Sequence, residues 1–244
     1  MHKLFIFKIV YNLISNMDKC KNEVIMDTIT AEKSTKSLTS NLYNDIQADI
    51  LSGVFPDSFK LTEAAICKKY KVSRTPVREA LRQLETDGLI EYIPNRGAFV
   101  NGLSKRDISD LFDLRTLLEV QAVDWAIKRM SIDDIESLRE TLDFMEFYTL
   151  RKDLDNILMF NSMFHSILYA GTKDRMIQKT LSTYQTYLKH SLPAEIYSKA
   201  QLKQIFEEHK SIFEAVEAKN SAEGRSAMDH HMKQSKLRRL SNFL

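Results

Sequence analysis

Residues 73–89 read S-R-T-P-V-R-E-A-L-R-Q-L-E-T-D-G-L, and their apolar side chains fall on one face of a helix. These side chains recur at the i, i+4, i+7 spacing that indicates an amphipathic helix: Val77, Leu81 and Leu84. Ser73 or Thr75 can cap its start, and Pro76 is tolerated there because the first amide hydrogens of a helix have no intrahelical partner. Gly88 ends the segment, so the sequence predicts one short helix here.

The segments on either side of this helix complete a supersecondary unit. Upstream, two helical patterns precede a three-residue link, and downstream two short β-rich runs flank a Pro/Asn/Gly turn: residues 38–53, 62–70, 71–73, 89–93 and 98–100. Helix, helix, tight turn, helix, hairpin is the order of a winged helix-turn-helix, whose second paired helix enters the major groove of DNA. The sequence therefore predicts a winged helix-turn-helix over residues 38–103.

Basic residues cluster around the predicted recognition helix. The fifteen residues 68–82 hold six Lys or Arg against the single acid Glu79. Arg74, Arg78 and Arg82 follow one another at four-residue spacing, so they share the face opposite the apolar side chains. Such a row suits phosphates or guanine edges, whereas the plainer alternative is a solvated basic face. Beside a helix-turn-helix and a wing, the row favours DNA binding.

Three strings in this unit resemble the GntR family of bacterial transcription regulators: V-S-R-T-P-V-R-E-A-L at 72–81, L-x-x-D-G-L at 84–89 and N-R-G-A-F-V at 95–100. The resemblance covers the predicted winged unit almost without gaps. It implies that three residues read or clamp DNA: Arg74, Thr75 and Arg78. It also implies that Arg82 and Arg96 contact phosphates and that Gly97 lies at the tip of the wing.

The rest of the chain, residues 104–244, reads as helix throughout. Hydrophobic residues make up 43% of the sequence and charged residues 28%, with Gly 6 and Pro 4, which excludes a disordered or collagen-like chain and favours a mainly α protein. Ser104 with Asp107 and Ser131 with Asp134 have capping-box form. The pattern predicts an antiparallel, all-helical bundle of about six helices: residues 104–130, 132–149, 153–170, 173–190, 195–218 and 222–241.

The N-terminal segment carries no comparable pattern, and we expect a poorly ordered extension over residues 1–37. The apolar run at residues 1–14 is interrupted by Lys8 and is too short to span a bilayer, so no membrane partner is expected. Two cysteines, Cys20 and Cys67, cannot form a disulfide framework, which favours a cytoplasmic protein. The formal net charge of +2 does not by itself indicate a partner.

Polar residues that interrupt the apolar stripes of the bundle form a candidate metal site. Asn161 and His165 are i, i+4 neighbours on one stripe, and His209 lies at the centre of another. His231 follows His209 by 22 residues, and the midpoint, residue 220, falls in a predicted turn, so a helical hairpin would bring the two histidines level. Three imidazoles and an amide oxygen suit a divalent metal ion with an open position: zinc, with nickel or manganese as alternatives. The other interpretation is that each histidine is a hydrogen-bonded core residue.

Arg115 falls among the apolar residues of the first bundle helix. Burying its charge costs on the order of several kcal/mol unless the guanidinium is paired or bound. Two interpretations stay open: an internal i, i+4 pair with Glu119, and a bidentate grip on an anionic ligand inside the bundle.

Four strings in this half resemble the FCD ligand-binding domain of the FadR-like branch of the same family: R-T-L-L-E-V-Q-A at 115–122, N-S-M-F-H at 161–165, E-H-K-S-I-F-E-A-V at 208–216 and H-M at 231–232. The resemblance implies a set of metal ligands: Asn161, His165, His209 and His231. Where the family pattern more often has Asp, this chain has Asn161, a neutral ligand that would leave the full +2 charge of the metal for an incoming carboxylate.

Together these features predict a transcription regulator, acting as a repressor, that binds a pseudo-palindromic double-stranded DNA operator as a homodimer. A small carboxylate metabolite would bind at the metal, with Arg115 as an effector-binding residue, and shift the DNA-binding heads. One alternative is a metal-dependent hydrolase or isomerase fused to a DNA-binding head, although no H-E-x-x-H motif and no obvious inward carboxylate accompany the histidines. A third possibility is a regulator whose bundle only dimerises and whose histidines are structural.

Overall fold

A computed structural model describes residues 30–190 and 198–241. The N-terminal unit contains three helices and a small sheet: α1 (Thr30–Leu51), β1 (Lys60–Leu61), α2 (Glu63–Tyr70), α3 (Arg74–Thr86), β2 (Ile90–Ile93) and β3 (Gly97–Val100). The strands are antiparallel in the order β1-β3-β2, with Ile93 opposite Gly97 at the end of the hairpin. This is the predicted winged helix-turn-helix, with β2 and β3 as the wing.

Capping and positive-φ residues set the turns of this unit. Thr62 caps α2 by accepting a hydrogen bond from the Ala65 amide, and Lys71 ends α2 in the left-handed conformation with φ 56°. Gly88, just beyond α3, has φ 74°, a conformation that glycine adopts without steric cost. The helices and the sheet then enclose one apolar core, which includes Ile46, Ile66, Val77, Leu81, Leu84 and Ile90.

The first helix starts earlier than the sequence pattern predicts. α1 begins at Thr30, eight residues before the predicted boundary at residue 38, and so includes the end of the predicted extension. The segment 30–37 contains no Gly or Pro that would interrupt a helix, and its polar composition hides the start from apolar periodicity. The remainder of the predicted extension, residues 1–29, lies outside the described residues.

The C-terminal unit is the predicted bundle, and within the described residues it has six helices: α4 (Lys105–Arg129), α5 (Ile132–Arg151), α6 (Leu154–Gly171), α7 (Arg175–His190), α8 (Lys199–Glu217) and α9 (Ser221–Leu240). The capping boxes predicted at Ser104 and Ser131 are both present, and Ser198 forms a third with Gln201. α7 starts two residues later than predicted because Asp174 accepts hydrogen bonds from two amides of its first turn.

Helix α4 packs against α6, α7, α8 and α9, and α8 and α9 form the predicted hairpin, with Asn220 capping α9. The main apolar core lies between these helices and α5. Tyr187 of α7 packs against the core of the N-terminal unit, and Leu103 contacts both cores, so the two units touch. Across residues 30–190 and 198–241, we find no helix with the length and apolarity that a bilayer crossing requires.

Candidate metal centre and nucleic-acid interface

Three histidines from separate helices converge inside the bundle. His165 on α6, His209 on α8 and His231 on α9 are all buried, and one ligand nitrogen from each lies within 4.8 Å of the others. The ring centroids of His209 and His231 are 4.5 Å apart, as expected if the turn at residue 220 brings them level. The structure thus brings together the three predicted histidines.

The facing nitrogens have the geometry of metal ligands. Nε2 of His165 and Nε2 of His231 are 3.2 Å apart, close to the separation of about 3.3 Å for two nitrogens bound tetrahedrally to one zinc ion. Nδ1 of His209 donates to the Ile205 carbonyl at 2.7 Å, which leaves Nε2 as the acceptor of the neutral ring. That Nε2 is buried and has no hydrogen-bond partner among the described residues. An orphaned acceptor beside two other ring nitrogens fits a bound cation.

The first of two carboxylates behind the imidazoles is Glu119. Nδ1 of His165 lies 3.3 Å from Glu119 Oε2, and Arg115 donates to Oε1 of the same carboxylate through Nη2 at 2.8 Å. The hydroxyl of Tyr169 also donates to Glu119 and accepts from Arg115. The internal Arg115–Glu119 pair, left open by the sequence, is therefore present, and it connects to one of the three clustered histidines.

The second carboxylate is Glu208, which stands in the same relation to His231. Nδ1 of His231 lies 2.9 Å from Glu208 Oε2, and Arg238 holds that carboxylate with two hydrogen bonds of 2.7 Å. Metal-bound histidines usually donate their second ring N–H to a carboxylate, which fixes the tautomer and presents Nε2 to the ion. The sequence analysis missed Glu208 and Arg238 and found no inward carboxylate, whereas the structure places two beside the histidines.

The electrostatic environment favours neutral imidazoles at His209 and His231 and a charged carboxylate at Glu119, which are the forms that a bound cation needs. Burial lowers the pKa of His209 well below its usual range and the pKa of His231 to about 4, and neighbouring imidazoles act in the same direction. Burial opposes ionisation of Glu119, but the interactions of its carboxyl with His165 and Arg115 outweigh burial and hold the pKa of that carboxyl at about 2. At neutral pH, His209 and His231 therefore keep lone pairs for a metal, and Glu119 is negatively charged.

A cavity of about 410 Å³ lies beside this centre, within the size range of small-molecule sites. Asn161, the predicted fourth ligand, lines the cavity together with His231, and Arg115 also lies in its wall. Further lining residues carry hydrogen-bonding or charged groups: Asp155, Ser162, Gln185, Ser235, Arg238 and Arg239. A polar wall with three arginines against one aspartate, next to a candidate metal centre, suits an anionic ligand.

The predicted DNA-contacting residues of the N-terminal unit lie on its exposed side. Four predicted contact residues of α3 are exposed and lie away from its buried apolar residues: Arg74, Thr75, Arg78 and Arg82. In the wing, Arg96 is exposed and its guanidinium lies 5.4 Å from the Phe99 ring centroid, while Gly97 starts β3 with φ 100°. The recognition helix and the wing therefore offer their charged groups to solvent.

One acidic residue outside residues 68–82 contacts this face. Glu63, the first residue of α2, accepts a hydrogen bond from Nε of Arg78 at 2.7 Å. This hydrogen bond holds the pKa of Glu63 below its usual range.

Comparisons with known proteins agree with this architecture. Residues 38–100 match the family model described as bacterial regulatory proteins, gntR family, and residues 110–234 match the model of the FCD domain. The chain is 27% identical over 197 residues to the HTH-type transcriptional regulator YdhC of Bacillus subtilis (strain 168), covering 80% of this chain and 87% of YdhC. It is 25% identical over 183 residues to the gluconate operon transcriptional repressor of the same organism, covering 73% and 75%. Among solved structures, E. coli McbR/YncC has the same fold, with a TM-score of 0.69 and 21% identity, over 85% of this chain and 99% of that chain.

Proposed function

We propose that a small carboxylate effector controls this protein through a metal ion bound in the helical bundle. The chain belongs to the bacterial GntR family of regulators and carries an FCD domain. It is therefore a DNA-binding transcriptional regulator rather than an enzyme. The observation that carries this proposal is the buried histidine cluster with the orphaned Nε2 of His209. The comparisons give no support to the hydrolase or isomerase alternative.

The proposed metal is a divalent ion held by His165, His209 and His231, with Asn161 as a fourth ligand. Nitrogen ligands favour zinc, and nickel or manganese are the alternatives. Asn161 is neutral and lines the cavity, so the ion would keep most of its positive charge toward that side. When bound, the metal supplies a Lewis-acidic point for an oxygen ligand, while the protein supplies the enclosing walls.

The proposed effector is a small carboxylate metabolite, with Arg115 as an effector-binding residue. Arg115 is 7% exposed, lies in the cavity wall and is already oriented by Glu119 and Tyr169. A positively charged guanidinium and a cation on the same cavity favour a carboxylate over a neutral ligand. A relative is named a repressor of a gluconate operon, which agrees with a repressor that responds to an organic acid.

The proposed target is a pseudo-palindromic double-stranded operator, bound in the cytoplasm by a homodimer. Two winged units related by a two-fold axis would place their recognition helices in successive major grooves. Base or phosphate contacts are assigned to six residues: Arg74, Thr75, Arg78, Arg82, Arg96 and Gly97. Effector binding regulates the protein if the effector binds one arrangement of the two heads more tightly than the other.

Metal analysis tests the central part of this function. We expect about one divalent ion per wild-type chain by plasma mass spectrometry and a large loss in His209→Ala. His230→Ala is the matched control, because His230 is exposed, unlike the three buried histidines. Thermal-shift screening of small carboxylic acids should then give stabilisation that a chelator abolishes. Equal metal content in wild type and His209→Ala would contradict the metal site.

A further inference from the structure

Lys60 is a basic residue of the winged unit that lies outside both the recognition helix and the hairpin of the wing. It is the first residue of β1, it is exposed, and it stands opposite Phe99 of β3 in the antiparallel register. Backbone hydrogen bonds extend this pairing, because the Val100 amide donates to the Phe59 carbonyl at 2.9 Å and the Ser58 amide donates to the Val100 carbonyl at 2.9 Å. The sheet therefore fixes the position of Lys60 relative to the wing.

The side chain of Lys60 runs toward the tip of the wing. Its Cε lies 3.4 Å from the point where a Cβ would stand on Gly97, the residue that pairs with Ile93 at the end of the hairpin. Gly97 and Phe99 are two residues apart on one strand, so they belong to the same face of the sheet, and Gly97 is the nearer of the two to the tip. The lysine stem therefore extends along that face from the level of Phe99 to the level of Gly97.

Arg96 brings a second cation to the same aromatic ring. Its guanidinium lies 5.4 Å from the centroid of Phe99, and Nζ of Lys60 lies 6.0 Å from that centroid. A cation near an aromatic face is attracted by the charge distribution of the ring, and a lysine stem lies along apolar surface while its ammonium stays in water. Two positive charges from different strands are therefore held beside the wing by one ring.

Neither of these charges is neutralised by an acidic neighbour. Among residues 30–190 and 198–241, Lys60 and Arg96 form no ion pair and no side-chain hydrogen bond. Glu91 on β2 is exposed, but β3 lies between it and Lys60. Lys69 shows the contrast: it also lies over an aromatic ring, but its ammonium is 2.8 Å from Asp49 and is therefore paired. The two cations beside the wing remain available for a negatively charged partner.

We propose that Lys60 is a further DNA-contacting residue, which forms with Arg96 a pair of cations that binds phosphates of the DNA backbone beside the wing. This inference rests on the proposed function, because that function assigns Arg96 and Gly97 to the DNA contact. Each DNA strand carries one phosphate per about 3.4 Å of helix axis, so two neighbouring cations suit neighbouring phosphates. Contacts of this kind position a protein on the duplex without reading its sequence.

The salt dependence of DNA binding tests the inference, because each phosphate contact releases counterions from the duplex. Fluorescence anisotropy follows binding of the full chain to a labelled duplex of mixed sequence between about 50 and 200 mM salt. Lys60→Met keeps the apolar stem and removes the charge. We expect it to reduce the slope of log affinity against log salt by about 0.9, and the affinity at about 100 mM salt by about 5- to 10-fold, for each winged unit bound. Lys60→Arg keeps the charge and should retain the wild-type slope.

Lys179 on α7 provides the matched control, since it is an exposed lysine of the bundle that forms no ion pair within the described part of the chain. Lys179→Met should bind the duplex with the wild-type slope. If Lys60 only stabilises the sheet through Phe99, Lys60→Met lowers the melting temperature and leaves the slope unchanged, and this result would overturn the inference. Equal losses of slope in Lys60→Met and Lys179→Met would overturn it as well, because they would reflect net charge alone.

The variant Arg96→Met distinguishes failure of this inference from failure of the proposed function. If Arg96→Met reduces the slope and Lys60→Met does not, the wing contacts DNA as proposed and the inference about Lys60 fails. If neither variant changes the slope, the proposed contact of the wing with DNA fails, and the inference fails with it. If both variants reduce the slope while wild type binds no metal, the proposed control through a metal ion fails and the inference stands.

Discussion

At the scale of single residues, Glu208 orients a histidine of the proposed metal site. Its carboxylate accepts from His231 and from Arg238, so it sets the ring orientation of a proposed ligand. We predict that Glu208→Gln weakens metal affinity about 10- to 100-fold, because the neutral amide no longer holds the His231 N–H as strongly. Competition with a chromogenic chelator measures this. Glu207→Gln, at the exposed neighbouring position, should retain wild-type affinity, and equal losses in both variants would contradict the role of Glu208.

Sequence reasoning found the histidines of this centre and missed the carboxylate pair. His209 and His231 are equally far from one turn, so chain arithmetic alone makes them level. Glu208 and Arg238 are 30 residues apart, and their contact depends on the rotation of α9 against α8, which no local pattern encodes. One sequence signal could have pointed to Arg238: it follows His231 by seven residues, so both lie on the same face of one helix, two turns apart.

A second residue-scale prediction concerns Arg78 in the recognition helix. Glu63 binds its Nε, which orients the guanidinium while Nη groups remain for a DNA contact. We predict that Arg78→Ala lowers the affinity for a selected operator by about 1–3 kcal/mol if Arg78 reads a base. Fluorescence anisotropy with a labelled duplex measures this at fixed salt. Arg175→Ala, an exposed arginine of the bundle, is the control, and unchanged binding in Arg78→Ala would count against the assigned face.

At the scale of elements, helix starts depend on local capping. Ser131 accepts from the Asp134 amide, and Asp134 accepts from the Ser131 amide in return. We predict that Ser131→Ala lowers the free energy of unfolding by about 1 kcal/mol, since amides at the start of α5 lose their acceptor. Thermal unfolding measures this, with Ser137→Ala inside α5 as the control, because Ser137 donates only to a helical carbonyl. Identical melting of the two variants would show that the cap contributes nothing.

The same cap predicts a pH dependence. A hydrogen bond from Lys173 and those from Ser131 hold the pKa of Asp134 below its usual value. Because the pKa of Asp134 is lower in the native than in the unfolded protein, the ionised carboxylate stabilises the native protein. This stabilisation is fully present above the unfolded pKa of about 3.9 and is lost as pH falls through the native pKa. The stability advantage of wild type over Asp134→Asn should therefore shrink below about pH 4. An advantage that persists at pH 2 would contradict this assignment.

Such caps explain why most helix bounds were predictable. Ser104 and Ser131 mark starts through polar side chains within three residues, so a short window of sequence suffices. The start of α1 at Thr30 has no such marker in an uninterrupted polar segment, and the apolar pattern only becomes visible later. Local signals therefore predict ends that are capped and miss ends that carry neither a cap nor an apolar pattern.

At the scale of the whole molecule, α7 connects the cavity to the DNA-binding unit. Leu188 lines the cavity, and its carbonyl accepts a hydrogen bond from Arg239, another lining residue. The adjacent Tyr187 packs against the core of the winged unit, where burial first and then the charge of Asp87 raise its pKa. Asp87 directly follows α3, so one turn of α7 lines the cavity and also lies close enough to the end of the recognition helix for the charge of Asp87 to act on Tyr187.

This contact predicts that Tyr187→Ala uncouples the two units. In wild type, zinc bound in the bundle should slow amide hydrogen exchange in α1 and α3 as well as in the bundle, because Tyr187 links their stabilities. In Tyr187→Ala the bundle should still be protected by zinc, while the protection of α1 and α3 falls to the metal-free level. Tyr184→Ala is the control, since Tyr184 lies one turn earlier and packs against a cluster inside the bundle: Ala122, Tyr169 and Leu181. If zinc still slows exchange in α3 of Tyr187→Ala as much as in wild type, the two units are coupled by another route. Leu103, which contacts both cores, is then the next residue to substitute.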